Sequence, residues 1–396
     1  MEFPAAPILR GIGLWPRRIP RDPDPAPALP PGSITLALTG DVMTGRGIDQ
    51  ILAHPVSPGI PESYVHDARE YVALAERLHG PVPRQAPAAY PWGEALQALE
   101  AAHPDVRILN LETAVTSSGK PWAGKEVHYR MNPANLDCVA AAKPDVCVLS
   151  NNHAMDYGRP ALRKTLDALS SAHLRAVGAG ADRREALAPA RVPLEGGRSL
   201  LVFAVGFADS GVPGDWAAGP GQPGVAYLEE ATDLAADELL ARIAAERGPS
   251  DLVLVSIHWG SNWGYYVPPR HIRFAHRLVE GGVDVVHGHS SHHPRPLERY
   301  LGKLILYGCG DFIDDYEGIS GDADFRDDLR ILYLPELAAT NGTLQRLRMI
   351  PFQVRRLRLV RASAQDTAWL AATLTRAGAP FGTKVYATPD QELVLA

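Results

Sequence analysis

Val146-Cys147-Val148-Leu149 runs directly into Ser150-Asn151-Asn152-His153-Ala154-Met155-Asp156-Tyr157-Gly158, and this junction decides how the chain is read. The first four residues form a short apolar run of strand length, of the kind buried on both faces of a sheet. Two asparagines and a histidine follow at once. Polar side chains at the end of a buried strand are costly unless they serve a polar task.

The same junction recurs along the chain. Ile34-Thr35-Leu36-Ala37-Leu38-Thr39 leads into Gly40-Asp41, and Val106-Arg107-Ile108-Leu109 into Asn110-Leu111-Glu112. Leu252-Val253-Leu254-Val255-Ser256-Ile257 leads into His258-Trp259-Gly260, and Val283-Asp284-Val285-Val286 into His287-Gly288-His289-Ser290-Ser291-His292-His293. Singly, each has an ordinary explanation. Asp41 reads as a turn or helix cap, Glu112 as a solvated acid, His258 as a core histidine and the four clustered histidines as a surface tract. Their joint occurrence carries the argument. Helical stretches at 90–102, 133–142, 159–172, 232–246 and 269–280 separate the runs. Strand, helix, strand at this rhythm predicts a largely parallel sheet with right-handed crossovers, whose carboxyl ends form the ligand crevice. Five runs then deliver their polar residues to one edge.

Carboxylates can bridge two cations, and neutral imidazole is the commonest nitrogen ligand of Zn, Mn or Fe. The expected cofactor is therefore two divalent metal ions, Mn, Zn or Fe. Thiolates take no part: Cys138, Cys147 and Cys309 are odd in number, widely spaced and without a C-x-x-C pairing, and read as buried free thiols. Gly40 to Gly47 lacks the Gly-Lys-Ser/Thr of a phosphate loop, and Ser150 and Ser256 lack a nucleophile elbow.

Bulk properties agree with a globular enzyme. The 396 residues are 46% hydrophobic and 21% charged, and 39 basic against 45 acidic residues give a net charge of −6. That balance argues against a broad nucleic-acid-binding face. Residues 1–32 are rich in proline and arginine and read as a flexible tail. Ile8 to Trp15 is too short and Gly-interrupted for a membrane span or signal core, so the expected location is cytoplasmic. Residues 33–396 are expected to form a single domain, with metal motifs at 40–293 and C-terminal strands and a helix at 300–396.

The series Gly40-Asp41-Val42-Met43, Asn110-Leu111-Glu112, Asn151-Asn152-His153-Ala154-Met155-Asp156-Tyr157-Gly158, His258-Trp259-Gly260 and Gly288-His289 with His292 resembles the CapA-type (poly-γ-glutamate capsule) family of the calcineurin-like metallophosphoesterase superfamily. The resemblance covers roughly residues 33–335. It implies a four-layer αββα sandwich with two packed sheets. It also implies that Asp41 binds the first metal, that Glu112 bridges both, and that Asn152, His258 and His289 bind the second. His292 completes the first site, with His287 and His293 as alternatives in the same loop, and His153 acts as acid or base. The departures are specific. The usual Asp-x-His of the first motif has Met43 in its third position, and a thioether is a poor ligand for hard cations. The usual Gly-His-x-His is one residue longer here.

Relatives of this type in peptide natural-product pathways imply epimerisation at a peptide α-carbon, and this is the leading expectation for function. His153 and one of His287, His292 or His293 would trade the α-proton, with Asp156 and Asp311 orienting them. The substrate is then a peptide or small carboxylate-bearing molecule, held by Arg46, Trp263 and Tyr265. Three alternatives stand beside it: phosphoester hydrolysis on the same ligands, poly-γ-glutamate (capsule) biosynthesis, and a non-enzymatic peptide-binding module. At the C-terminal end, strands at 301–308, 329–334 and 344–360, the last two joined by an Asn341-Gly342 turn, are expected to extend the second sheet, with a helix at 364–376 covering it.

Overall fold

The computed structural model describes residues 32–319 and 323–396. The tail expected over residues 1–32 lies outside them apart from Gly32. Each strand-length run in the sequence becomes a strand, because each alternates between two apolar environments. In β1 (Ser33–Val42), Leu36 and Leu38 face one core while Ala37 and Val42 face another. In the same way β2 (Val106–Leu111) sends Val106 and Ile108 one way and Leu109 and Leu111 the other. With β3 (Val146–Val148) and β4 (Arg175–Val177) these strands run parallel in the order β1-β2-β3-β4.

A second sheet holds β5 (Arg198–Phe207), β6 (Leu252–His258), β7 (Val285–His289) and β8 (Lys303–Leu306), again parallel and in that order. Leu200, Val202, Leu254, Val285 and Leu304 share one core with Leu36, Ile108 and Val146, so the two sheets pack face to face. On the outer side of the first sheet lie α1 (Ala95–Ala102) and α2 (Arg159–Ser171), whose Leu99, Leu162 and Leu169 share a core with Leu109 and Cys147. On the outer side of the second lie α3 (Asp233–Glu246) and α4 (Pro269–Glu280), whose Leu239, Ile243, Phe274 and Leu278 pack on Phe203, Val255 and Ile305. This is the four-layer αββα sandwich that the resemblance implies. Each fully buried large apolar side chain in these layers contributes about 1.5–3 kcal/mol relative to exposure.

Two expectations need correction. The strands β10 (Leu329–Ala338) and β11 (Leu344–Val354) join the first sheet, β10 running antiparallel to β1, and do not extend the second. β10 is apolar on both faces: Ile331, Tyr333 and Leu337 enter the inter-sheet core, and Leu332 and Leu334 enter the outer one. Such a strand belongs inside a sheet. The first sheet is accordingly mixed, because the short Asn341-Gly342 connection permits only antiparallel pairing, whereas parallel pairs need a crossover. One more short strand, β9 (Asp311–Ile313), pairs parallel with the end of β1.

The registers align the carboxyl ends. Asp41 stands level with Asn110 and with Asp311, and His258 level with His289. The two sheets thus present their polar ends at one edge of the sandwich.

Candidate metal centre

The carboxylates are held by asparagines. Asn110 Nδ2 donates to Asp41 Oδ1 (2.7 Å) and to Glu112 Oε2 (2.9 Å). Asn110 Oδ1 accepts from Asn151 Nδ2 at 2.9 Å, and the Ser290 amide donates to Asp41 Oδ2 at 3.1 Å. Asp41, Asn110 and Asn151 are fully buried and Glu112 nearly so. Burial, reinforced by the charge of Asp311, pushes the Asp41 carboxyl up to about 7. Burial and then the neighbouring Asp41 and Asp311 push Glu112 well above the ordinary carboxyl range. One shared asparagine donor does not neutralise three buried acids.

The imidazoles on β6 and β7 have their protons assigned by their partners. His287 Nε2 stands 2.9 Å from the Thr39 carbonyl, which can only accept, so this nitrogen carries the proton. His287 Nδ1 must then accept from the Ser256 hydroxyl at 3.1 Å. The Ser256 oxygen in turn accepts from His289 Nε2 at 2.9 Å, leaving His289 Nδ1 as a bare lone pair. His258 Nε2 donates to Asn152 Oδ1 at 3.0 Å, which bares its Nδ1 as well. The two bare nitrogens face each other at 2.8 Å, with Asp41 Oδ1 3.8 Å from His289 Nδ1 and Glu112 Oε2 3.9 Å from His258 Nδ1. Lone pairs and carboxylates converging on one buried point fit a cation. Burial holds both imidazoles well below the ordinary histidine value, so they are neutral and able to ligate.

His153 stands on the other side of Glu112, with Nε2 3.8 Å from Oε1. Its Nδ1 meets Asp156 Oδ2 at 2.7 Å, and its ring meets Tyr129 edge-on. Burial, together with Lys125, draws this imidazole down to about 4 against the pull of Asp156. Lys125, which sequence reasoning missed, donates to Asp156 Oδ1 at 2.6 Å and to the Asn152 carbonyl, and lies 3.2 Å from His153 Nδ1. It comes from a largely exposed loop, and no pattern in that loop marks it.

His292 is the member of the histidine-rich loop that reaches the carboxylates. Its Nδ1 lies 2.9 Å from Asp311 Oδ1. The extra residue of the loop is absorbed by Ser290, which takes a φ of 99° and turns its amide to Asp41. The alternatives have other tasks: His287 links the two sheets, and His293 accepts from the Gly264 amide at 3.1 Å and stacks on Trp263 and Phe325.

The expected substrate contacts divide. Trp263 lines a recess of about 280 Å³ beside His292, with Tyr64, Tyr71 and Tyr316. Arg46 also borders it, but its guanidinium is buried and already bound to Asp315, Glu62 and Tyr71. It stands here as an internal brace and not as a free carboxylate clamp. Tyr265 packs on His293 and Phe325.

Among the described residues, two groups of donors lie close enough to hold an ion, with ligand atoms within 4.8 Å of one another: Asp41, His258 and His289, and Asp41, His292 and Asp311. Asp41 is common to both. Glu112 belongs to neither group, Asp311 belongs to the second, and Asn152 accepts from His258 Nε2. The chemistry of the set, oxygen and nitrogen donors without thiolate, fits a divalent metal.

The chain is similar to known proteins over most of its length. A family profile described as bacterial capsule synthesis protein PGA_cap matches residues 35–316. A probable polyglutamine synthesis accessory protein of Mycobacterium tuberculosis is 48% identical over 364 residues, covering 92% of this chain and 96% of that one. The PGA biosynthesis protein CapA of Bacillus subtilis is 29% identical over 207 residues, 52% of each chain. Among solved structures, a 5′-nucleotidase precursor from Thermus thermophilus aligns over 83% of this chain and 56% of its own with a TM-score of 0.42 and 15% identity. The names of the relatives overturn the expectation of peptide epimerisation and favour the capsule alternative. No helix among the described residues is long and apolar enough to cross a membrane. By the span of the profile and the identity to its relatives, this chain belongs to the PGA_cap family of bacterial capsule synthesis proteins.

Proposed function

We propose that this chain is an accessory protein of poly-glutamate or polyglutamine synthesis, working through a divalent metal centre at Asp41. The observation that carries the reading is the 48% identity to a probable polyglutamine synthesis accessory protein, sustained over 92% of the chain. The buried donor set adds the chemistry. Asp41, His258 and His289 would hold one ion, and Asp41 with His292 would hold a second. When bound, such an ion supplies a Lewis-acidic positive charge to which an oxygen of the substrate is drawn.

The chain's own residues do the rest. Asn110 and Asn151 fix the carboxylates, while Asp156 accepts the Nδ1 proton of His153 and leaves Nε2 as the basic nitrogen facing Glu112. Trp263, Tyr64 and Tyr316 wall the approach beside His292. An extended polymer whose amide and carboxylate groups are repeated fits an opening of this kind at the sandwich edge.

The test is genetic and chemical together. Deleting the gene in its host should abolish the glutamate-containing polymer, measured by amino-acid analysis of hydrolysed surface material. The wild-type gene should restore it, and Asp41→Asn should not. Unchanged polymer in the deletion strain would falsify the reading.

A further inference from the structure

The two donor groups that meet at Asp41 are unequal, and the reason lies in Asp311. Position 43 offers only a buried thioether, 3.8 Å from the Tyr316 hydroxyl. Its backbone amide bonds to Ile313 on the neighbouring strand β9. That same strand brings in Asp311 as the register partner of Asp41.

Asp311 is fully buried, and its two oxygens differ. Oδ1 meets His292 Nδ1 at 2.9 Å. Oδ2 has no hydrogen-bond partner, alone among the buried carboxylate oxygens of the described residues. An unpartnered carboxylate oxygen buried beside two further acids is costly to keep. The nearby arginines give this oxygen no hydrogen bond: Arg330 is bound to Asp314, and Arg46 to Asp315 and Glu62. What remains within reach is the point shared by Asp41, His292 and Asp311.

We propose that Asp311 is itself a metal ligand and that the centre therefore selects two different ions. The inference rests on the metal-centre reading above. The group Asp41, His292 and Asp311 has two carboxylates and one imidazole, while Asp41, His258 and His289 has one carboxylate and two imidazoles. Oxygen-rich sets suit Mn²⁺, and nitrogen-rich sets suit Zn²⁺. The first site then takes Mn²⁺ and the second Zn²⁺.

The experiment uses the full chain, stripped with chelator and reloaded with one equivalent of Zn²⁺ and saturating Mn²⁺, since Zn²⁺ in excess would enter either site. Metal is counted by mass spectrometry after desalting, and Mn²⁺ is followed by electron paramagnetic resonance. Wild type should retain both metals in equal amounts. Asp311→Asn, which keeps the size and the acceptor for His292, should lose the Mn²⁺ and its signal and keep the Zn²⁺. His258→Ala should do the reverse. Circular dichroism and the melting temperature show whether each variant is folded, and Asp311→Ser serves if the asparagine variant is not. If Asp311→Asn still fills with Mn²⁺ at saturation, with affinity lowered roughly 10–100-fold, Asp311 only orients His292 and the proposal fails. Equal uptake of either metal at both sites overturns the selectivity. Wild-type protein that takes up neither metal defeats the metal-centre reading itself, a different result from wild type and Asp311→Asn filling alike.

Discussion

Asp41 and Asp311 are register partners on parallel strands, and each follows a glycine whose backbone touches the other's strand. The Asp41 amide donates to the Gly310 carbonyl at 3.1 Å, and a Cβ at position 40 would lie 1.6 Å from that same oxygen. The two carboxylates reach one point only because residue 40 has no side chain. Gly310, with a φ of 78°, turns its strand into this contact.

Gly40→Ala therefore tests how the centre is built. The added methyl group meets backbone on a central strand, where nothing flexible can yield, and stability should fall by about 3 kcal/mol or more. Gly59→Ala is the control, since a Cβ there meets nothing within 4 Å. It should change stability by less than about 0.5 kcal/mol. Urea unfolding of both variants decides it; equal midpoints would remove the close approach as a constraint.

Asp41 belongs to both donor groups, so its loss should differ from the loss of a histidine from either group. Divalent metal at a hundred times its dissociation constant should stabilise the wild type by about 2.7 kcal/mol. Asp41→Asn should show no metal-dependent rise in melting temperature, while His289→Ala should keep part of it. Without metal, Asp41→Asn removes a buried charge beside Asp311 and Glu112 but turns its N–H group toward a donor, Asn110 Nδ2 or the Ser290 amide, so its stability should stay within about 1 kcal/mol of wild type. A metal-dependent shift of wild-type size in Asp41→Asn would show that Asp41 is not shared.

Much of this was legible in the sequence, for a physical reason. The residues Asp41, Glu112, His258 and His289 each close a strand buried on both faces, and a parallel sheet brings strand ends together whatever its loops do. Helix α4 begins and ends where the pattern places it, with Pro269 in its first turn and Gly281 after its last. What was hidden depended on partners far along the chain. Arg46 looks available until Asp315, 269 residues away, closes on it. Lys125 carries no signal because its partners Asn152 and Asp156 lie across a loop. The placing of β10 beside β1 is a choice made by packing both of its faces, which its own residues do not encode.

The hydrogen-bond chain from the Thr39 carbonyl through His287 and Ser256 to His289 gives a prediction that strand-end patterns alone do not. Ser256→Ala breaks the chain and lets His289 exchange tautomers, so that Nδ1 is protonated part of the time. Metal affinity at that site should fall roughly tenfold, with the fold intact. Calorimetric titration with Zn²⁺ measures it. Affinity within twofold of wild type would show that Ser256 does not set the tautomer.

Lys125 is a structural tie between the loop that carries it and the Asn152–Asp156 turn. Lys125→Met leaves Asp156 buried with one fewer donor and the Asn152 carbonyl without its ammonium partner. The cost should be about 2–3 kcal/mol in urea unfolding, with Lys125→Arg recovering part of it. Both variants should retain zinc at the pair His258 and His289, although Asn152 orients His258 less firmly. A Lys125→Met protein with wild-type stability would place the lysine outside the framework.

Behind the strand end that carries His258, Asp209 supplies a pH test. Partial burial acts to raise its carboxyl, but hydrogen bonds from His271 Nε2 (2.8 Å), Arg270 (2.8 Å) and the Gly260 amide (3.0 Å) outweigh it and hold the group below its ordinary value. A carboxyl depressed in the folded state stabilises the protein above its unfolded value, about 3.9, and that contribution is lost as the pH falls through the folded value. Asp209→Asn should therefore be less stable than wild type at pH 7 and at pH 5. The gap should narrow below about pH 4, where the unfolded chain begins to take up the proton. Urea midpoints at pH 7, 5, 4 and 3 trace it. A difference that stays constant down to pH 3 would mean that Asp209 acts through shape and not through charge.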